Sequence, residues 1–141
     1  MSPSGGHPGH ACELALRLPA EALQIPVARR AVAAFCIESG LPPALVDDVK
    51  LAVTEAVTNV VLHAYDDSSE AERAFDLAAR LERDALLVSV TDQGRGIGAP
   101  SENHGLGLGL RLALQLAGGI HSPAPDAAGG TRLKLRFALP A

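Results

Sequence analysis

Between Ala44 and Tyr65 the apolar residues return at the spacing of an α-helix. Val46, Val49, Val53, Ala56, Val57 and Val60 fall on one stripe. A helix with such a stripe has to bury it against another layer, so the chain must supply that layer. Asp48, Glu55, Asn59 and Leu62 fall on a different face of the same helix. In its most apolar part, Leu51–Tyr65 (LAVTEAVTNVVLHAY), Glu55 and Asn59 are the only strongly polar pair. Four residues apart, they point off one helix face. An amide oxygen there can ligate a hard cation, and a carboxylate can orient or deprotonate a hydroxyl or a water. The same pattern also suits two residues on the solvated side of an amphipathic helix.

The second layer is legible on either side. Cys12–Leu18 (CELALRL) alternates apolar and polar residues, as a half-buried strand does. A first helix follows over Ile25–Ser39, with Val27, Ala31, Ala34, Phe35 and Glu38 at helical spacing. Gly40 is placed to close it. Pro42 and Pro43 suit the first turn of the long helix. After the polar loop Asp66–Arg73, the alternating runs Ala74–Glu82 and Ala85–Thr91 are joined by Arg83-Asp84. That is the pattern of an antiparallel hairpin. Leu110–Ala117 reads as a helix stopped by Gly118-Gly119, Ser122–Gly130 as a turn-rich connection, and Thr131–Leu139 as a terminal strand. The expected fold is α+β: a two-layer α/β sandwich, with a mixed, mostly antiparallel sheet and helices on one face.

Composition narrows the function classes. The chain has 141 residues, 48% apolar but only 3% aromatic, so its core must be built from Ala, Leu and Val. We expect residues 1–10, rich in Gly, Pro, Ser and His, to be a disordered tail, and residues 11–141 to form one domain. A net charge of −4 without a basic run argues against nucleic acid as a direct partner. No run of eighteen apolar residues predicts a membrane span, and the N-terminus has no signal-peptide pattern. His7 and His10 lack nearby companions for a metal site. Cys12 and Cys36 are expected to be free thiols, and the protein to be cytoplasmic.

Two glycine-dense stretches carry further chemistry. Asp92-Gln93-Gly94-Arg95-Gly96-Ile97 directly follows an apolar strand. A carboxylate there can accept a hydrogen bond from the exocyclic amine of a flat heterocycle, while the glycines let the backbone approach closely. An ordinary Asp turn is the alternative. Gly105-Leu106-Gly107-Leu108-Gly109 leads into a helix, where free N–H groups and the helix dipole favour an anion; a flexible linker would look the same. It is neither a Rossmann fingerprint nor a P-loop. Gly129-Gly130-Thr131 opens the last strand.

In this order, the four pieces resemble the GHKL ATPase superfamily. They match its N box (Glu55-x-x-x-Asn59), its first glycine box (Asp92-x-Gly94-x-Gly96), its second (Gly105-x-Gly107) and its closing Gly130-Thr131. From about residue 12 to 139 the chain looks most similar to the bacterial anti-sigma-factor serine/threonine kinases of partner-switching systems. The resemblance implies the Bergerat ATP-binding fold, with ATP and Mg²⁺ as cofactors. Asn59 would ligate the magnesium ion, and Glu55 would be the general base on a protein serine or threonine. Asp92 would bond the adenine amino group, with Gly94, Gly96 and Ile97 around the base and Thr131 supporting it. Gly105, Leu106, Gly107 and Leu108 would cradle the phosphates. His63 matches a His often found after the N box, though an ordinary helix-end histidine explains it as well.

The implied partners are a sigma factor and a small antagonist protein, with a homodimer through the surface of helix Pro26–Ser39 as an expectation from the family's habit. The stretch between the glycine boxes, Gly98–His104 (GAPSENH), departs from the pattern. It is short for an ATP lid, and Asn103 and His104 stand where a basic residue is common. A regulatory module that binds nucleotide without transferring phosphate is therefore the alternative.

Overall fold

The computed structural model describes residues 13–64, 73–93, 119–120, 124–125 and 131–140. Among the described residues, six strands and two α-helices run in the order β1 (Glu13–Pro19), α1 (Ile25–Glu38), α2 (Pro43–Asn59), β2 (Ala74–Leu81), β3 (Ala85–Asp92), β4 (Gly119–Ile120), β5 (Ala124–Pro125) and β6 (Thr131–Ala138). A 3₁₀ turn, Ala22–Gln24, precedes α1, and a π turn, Val60–Ala64, extends α2.

The strands form one sheet in the order β1-β2-β3-β6-β4, with β5 also on β6, and every described pairing is antiparallel. The β2–β3 hairpin and its closure by β6 set continuous cross-strand rows. Leu16, Leu77, Val90 and Leu133 share one row, and Leu14, Ala79, Val88 and Leu135 the next. All eight pack into or against a single core with α1 and α2. Strand alternation thus sends one set of side chains to the helices and the other to the open face. The open face carries charge, including the exposed ion pair Arg17–Asp76 at 2.9 Å.

The α2 stripe behaves as the spacing predicts: Val46, Val49, Val53, Ala56, Val57 and Val60 are all buried. On α1 the buried stripe is Ala28, Val32, Phe35 and Cys36, while Val27 and Ala34 lie on the exposed side. Helix α1 ends on Gly40, whose φ of 80° only glycine adopts without strain. Gly40 N–H donates to the Ile37 carbonyl at 3.0 Å and Leu41 N–H to the Cys36 carbonyl at 3.1 Å. These are the two bonds of a Schellman motif. Pro42 is extended and Pro43 starts α2, as the proline pair suggests.

Two local features depart from expectation. The long helix is α only to Asn59, beyond which it widens into the π turn. The connection expected over Ser122–Gly130 contains β5, while β4 begins at Gly119, the second of the two glycines expected to stop a helix. Both are two-residue strands held by β6. Cys36 is a free, buried cysteine as expected, whereas Cys12, the tail 1–10 and the expected helix Leu110–Ala117 lie outside the described residues. No described helix is long and apolar enough to cross a membrane.

Candidate functional site

Helix α2 carries the first half of the site. Asn59 is its last α-helical residue and is buried at 7% exposure, whereas Glu55, one turn earlier, is half-buried. The Asn59 Nδ2 donates to the Glu55 carbonyl oxygen at 2.8 Å. That bond returns the amide nitrogen to the carbonyl four residues back, a common use of short polar side chains in helices. It leaves Oδ1, the atom a hard cation would take, outside the bond. Burial takes Asn59 off the solvated side of the helix, whereas Glu55 keeps partial contact with solvent. A π turn begins at the next residue. Such turns locally widen a helix and are frequent at functional sites.

The sheet carries the second half. Asp92 ends β3 and is fully buried. In the register it stands between Phe75 of β2 and Thr131 of β6. It continues the inward-facing series Leu86, Val88 and Val90, so a carboxylate closes a row of core side chains. A buried carboxylate is costly unless polar groups surround it. One rung earlier, Thr91 faces Arg132, whose Nε donates to Thr91 Oγ1 at 3.2 Å. Sequence reasoning passed over this pair, because only the β3–β6 register brings its members together.

The structure therefore brings Glu55 together with Asn59, and Asp92 together with Thr131. Gly94, Gly96, Ile97, Gly105, Leu106, Gly107 and Leu108, like the stretch Gly98–His104, lie outside the described residues. The donor set suits a nucleotide with magnesium: a carboxamide oxygen for the ion and a buried carboxylate for an exocyclic amine. Among the described residues no cluster of three or more His, Cys, Asp or Glu could hold a metal by itself. A single protein oxygen is the expected pattern for magnesium carried on phosphates. A hollow of about 410 Å³ lies on the open sheet face, over Ala15, Ala78 and Ser89 and beside Arg132 and Lys134. It is away from the helix-facing row that holds Asp92.

Comparison with known proteins decides the family. Residues 18–137 match the model of the histidine kinase-like ATPase domain. The chain belongs to that family. This histidine kinase-like ATPase domain is 43% identical over 72 residues to a protein named anti-sigma F factor from Pasteuria penetrans, covering 50% of this chain and 46% of the relative. It is 33% identical over 92 residues to a protein named serine-protein kinase RsbW from Halalkalibacterium halodurans, covering 65% of this chain and 54% of the relative. The chain spans about half the length of the curated relatives it matches. Its fold matches the crystal structure of the RsbU and RsbW domains of Rv1364c from Mycobacterium tuberculosis, with a TM-score of 0.64 at 23% identity, over 92% of this chain and 33% of that one. The α+β sandwich expected from the sequence is thus the family's fold.

Proposed function

We propose that this domain binds ATP with magnesium and transfers the γ-phosphate to a serine or threonine of a small antagonist protein, and that it also sequesters a sigma factor in a cytoplasmic partner-switching system. The observation that carries the reading is the Asn59 amide. Its nitrogen is held by the Glu55 carbonyl at 2.8 Å, so its oxygen remains for an ion. Family membership and relatives named anti-sigma F factor and serine-protein kinase RsbW support the same reading.

Asn59 would hold the magnesium ion, which supplies charge neutralisation across the phosphates when bound. Half-buried Glu55, one helical turn away, would accept the proton of the attacking hydroxyl as its oxygen bonds to the γ-phosphorus and ADP leaves. Buried Asp92 would accept the adenine amino hydrogen, with Thr131 beside it in the register. Gly94, Gly96 and Ile97 would line the base, and Gly105 to Leu108 the phosphates.

One observation favours a second reading, a nucleotide-dependent binding module without transfer. The stretch Gly98–His104 contains neither Lys nor Arg. A lid cation normally stabilises the charge that develops during phosphoryl transfer.

Calorimetric titration of ATP, with and without magnesium, into wild type and Asp92→Asn tests the proposal. Wild type should bind, more tightly with magnesium, and the variant should lose at least about tenfold in affinity, or about 1.4 kcal/mol. Wild type that binds no nucleotide under either condition refutes the proposal. ATP binding without phosphate transfer to any antagonist establishes the second reading.

A further inference from the structure

Of the four outward-facing rungs between β3 and β6, one pairs Ala138 with Ala85 and three pair a β6 cation with a β3 residue: Arg136 with Leu87, Lys134 with Ser89, and Arg132 with Thr91. Among the described residues only the last rung joins its two side chains by a hydrogen bond, Arg132 Nε to Thr91 Oγ1 at 3.2 Å. That rung is the neighbour of Asp92–Thr131, where the pairing ends. Thr91 is buried to 7% exposure although it belongs to the face opposite the helices, so the acceptor end of this part-buried bond is shielded while Arg132 itself is exposed.

The location matters because Asp92 is the last residue of its strand. Strand ends fray, and a slip of one residue in register would carry Asp92 from the helix side to the open side of the sheet. A backbone ladder alone resists this weakly at its final rung. A side-chain bond one rung earlier, on the opposite face, fixes both the spacing and the register of β3 against β6 without occupying the space Asp92 faces.

We infer that Arg132 is a positioning residue for Asp92, acting through Thr91 from the rear of the sheet. The inference rests on the reading of Asp92 as the adenine contact. Arg132 touches no part of the nucleotide in this account; its effect is to hold the carboxylate in the row that faces the helices.

The test uses the full chain and three variants, Thr91→Val, Thr91→Ser and Arg132→Gln. Thr91→Val keeps the β-branched shape and removes the acceptor, Thr91→Ser keeps the hydroxyl, and Arg132→Gln removes the Nε donor. Amide hydrogen exchange in nucleotide-free protein reads the strand end, and ATP titration reads the site. In Thr91→Val and Arg132→Gln, residues 91–93 should exchange several-fold faster and ATP should bind five- to tenfold more weakly. Thr91→Ser should stay within about twofold of wild type in both. Wild-type exchange in Thr91→Val overturns the inference, as does faster exchange with unchanged ATP affinity. So does a Thr91→Ser variant as impaired as Thr91→Val. If wild type itself binds no ATP, the nucleotide reading is what fails, and the exchange measurement still decides whether Arg132 fixes Asp92.

Discussion

The Asn59 side chain is bonded to the backbone of Glu55, not to its carboxylate: Nδ2 meets the Glu55 carbonyl oxygen at 2.8 Å. The Glu55 carboxylate therefore takes no part in this contact. The Asn59 amide is oriented by the helix itself, and the Glu55 carboxylate is left to act elsewhere. In Asn59→Asp an oxygen replaces the donor against that carbonyl. The helix should survive, at a cost of about 1–3 kcal/mol. Magnesium dependence of nucleotide binding should change at the same time. Circular dichroism with urea unfolding checks the first expectation, and ATP titration across magnesium concentrations checks the second. A folded variant with wild-type magnesium dependence removes Asn59 as the ligand.

Glu55 is half-buried, and its backbone carbonyl stays in place when its side chain is truncated. Glu55→Ala should therefore leave ATP affinity within about twofold of wild type and stability within about 0.5 kcal/mol. Under the proposed kinase reading, phosphate transfer to an antagonist protein should fall by about 10²–10⁴, the usual contribution of a general base. Single-turnover transfer from labelled ATP measures it. Equal loss of binding and transfer would mean that Glu55 shapes the site instead of accepting a proton.

Burial pushes the Cys36 thiol up from 9.0 to about 11. The folded protein then keeps a proton that the unfolded chain releases above pH 9, so stability falls as pH rises through that window. Wild type should lose about 2 kcal/mol between pH 8 and pH 10.5 through this residue. Cys36→Ala should lack this contribution. Urea midpoints of the two proteins at both pH values give the difference directly.

Gly40 has a φ of 80°, and a Cβ built there meets nothing within 4 Å. Gly40→Ala should therefore cost only the backbone strain, about 1–2 kcal/mol, with no loss of packing. Gly40→Asn should cost less, because Asn tolerates the left-handed region better than Ala. Thermal unfolding of the three proteins ranks them. An Ala variant as stable as wild type would show that the α1–α2 turn accepts another conformation.

Much of this arrangement was legible because it is periodic. The α2 stripe, the β2–β3 hairpin and the alternating β6 each repeat a signal over eight residues or more. Strands β4 and β5 are two residues each, Gly119–Ile120 and Ala124–Pro125, too short to alternate, and they exist because β6 offers a partner. The π turn is silent in sequence, since Val60–Ala64 (VVLHA) has the composition of an ordinary helix. Glu55 and Asn59 could be paired by their spacing alone, but the burial of Asn59 depends on what packs around the end of α2. The Thr91–Arg132 bond joins residues 41 positions apart and follows only from the strand register.

A core with so few rings also makes the protein nearly dark in the near ultraviolet. Its three phenylalanines, Phe35, Phe75 and Phe137, are all buried, and the chain contains no tryptophan and one tyrosine, Tyr65. A single tryptophan introduced beside β3, or a fluorescent nucleotide analogue, would emit against almost no intrinsic background. Occupancy of the site, and the kinetics of filling it, could then be followed by emission alone.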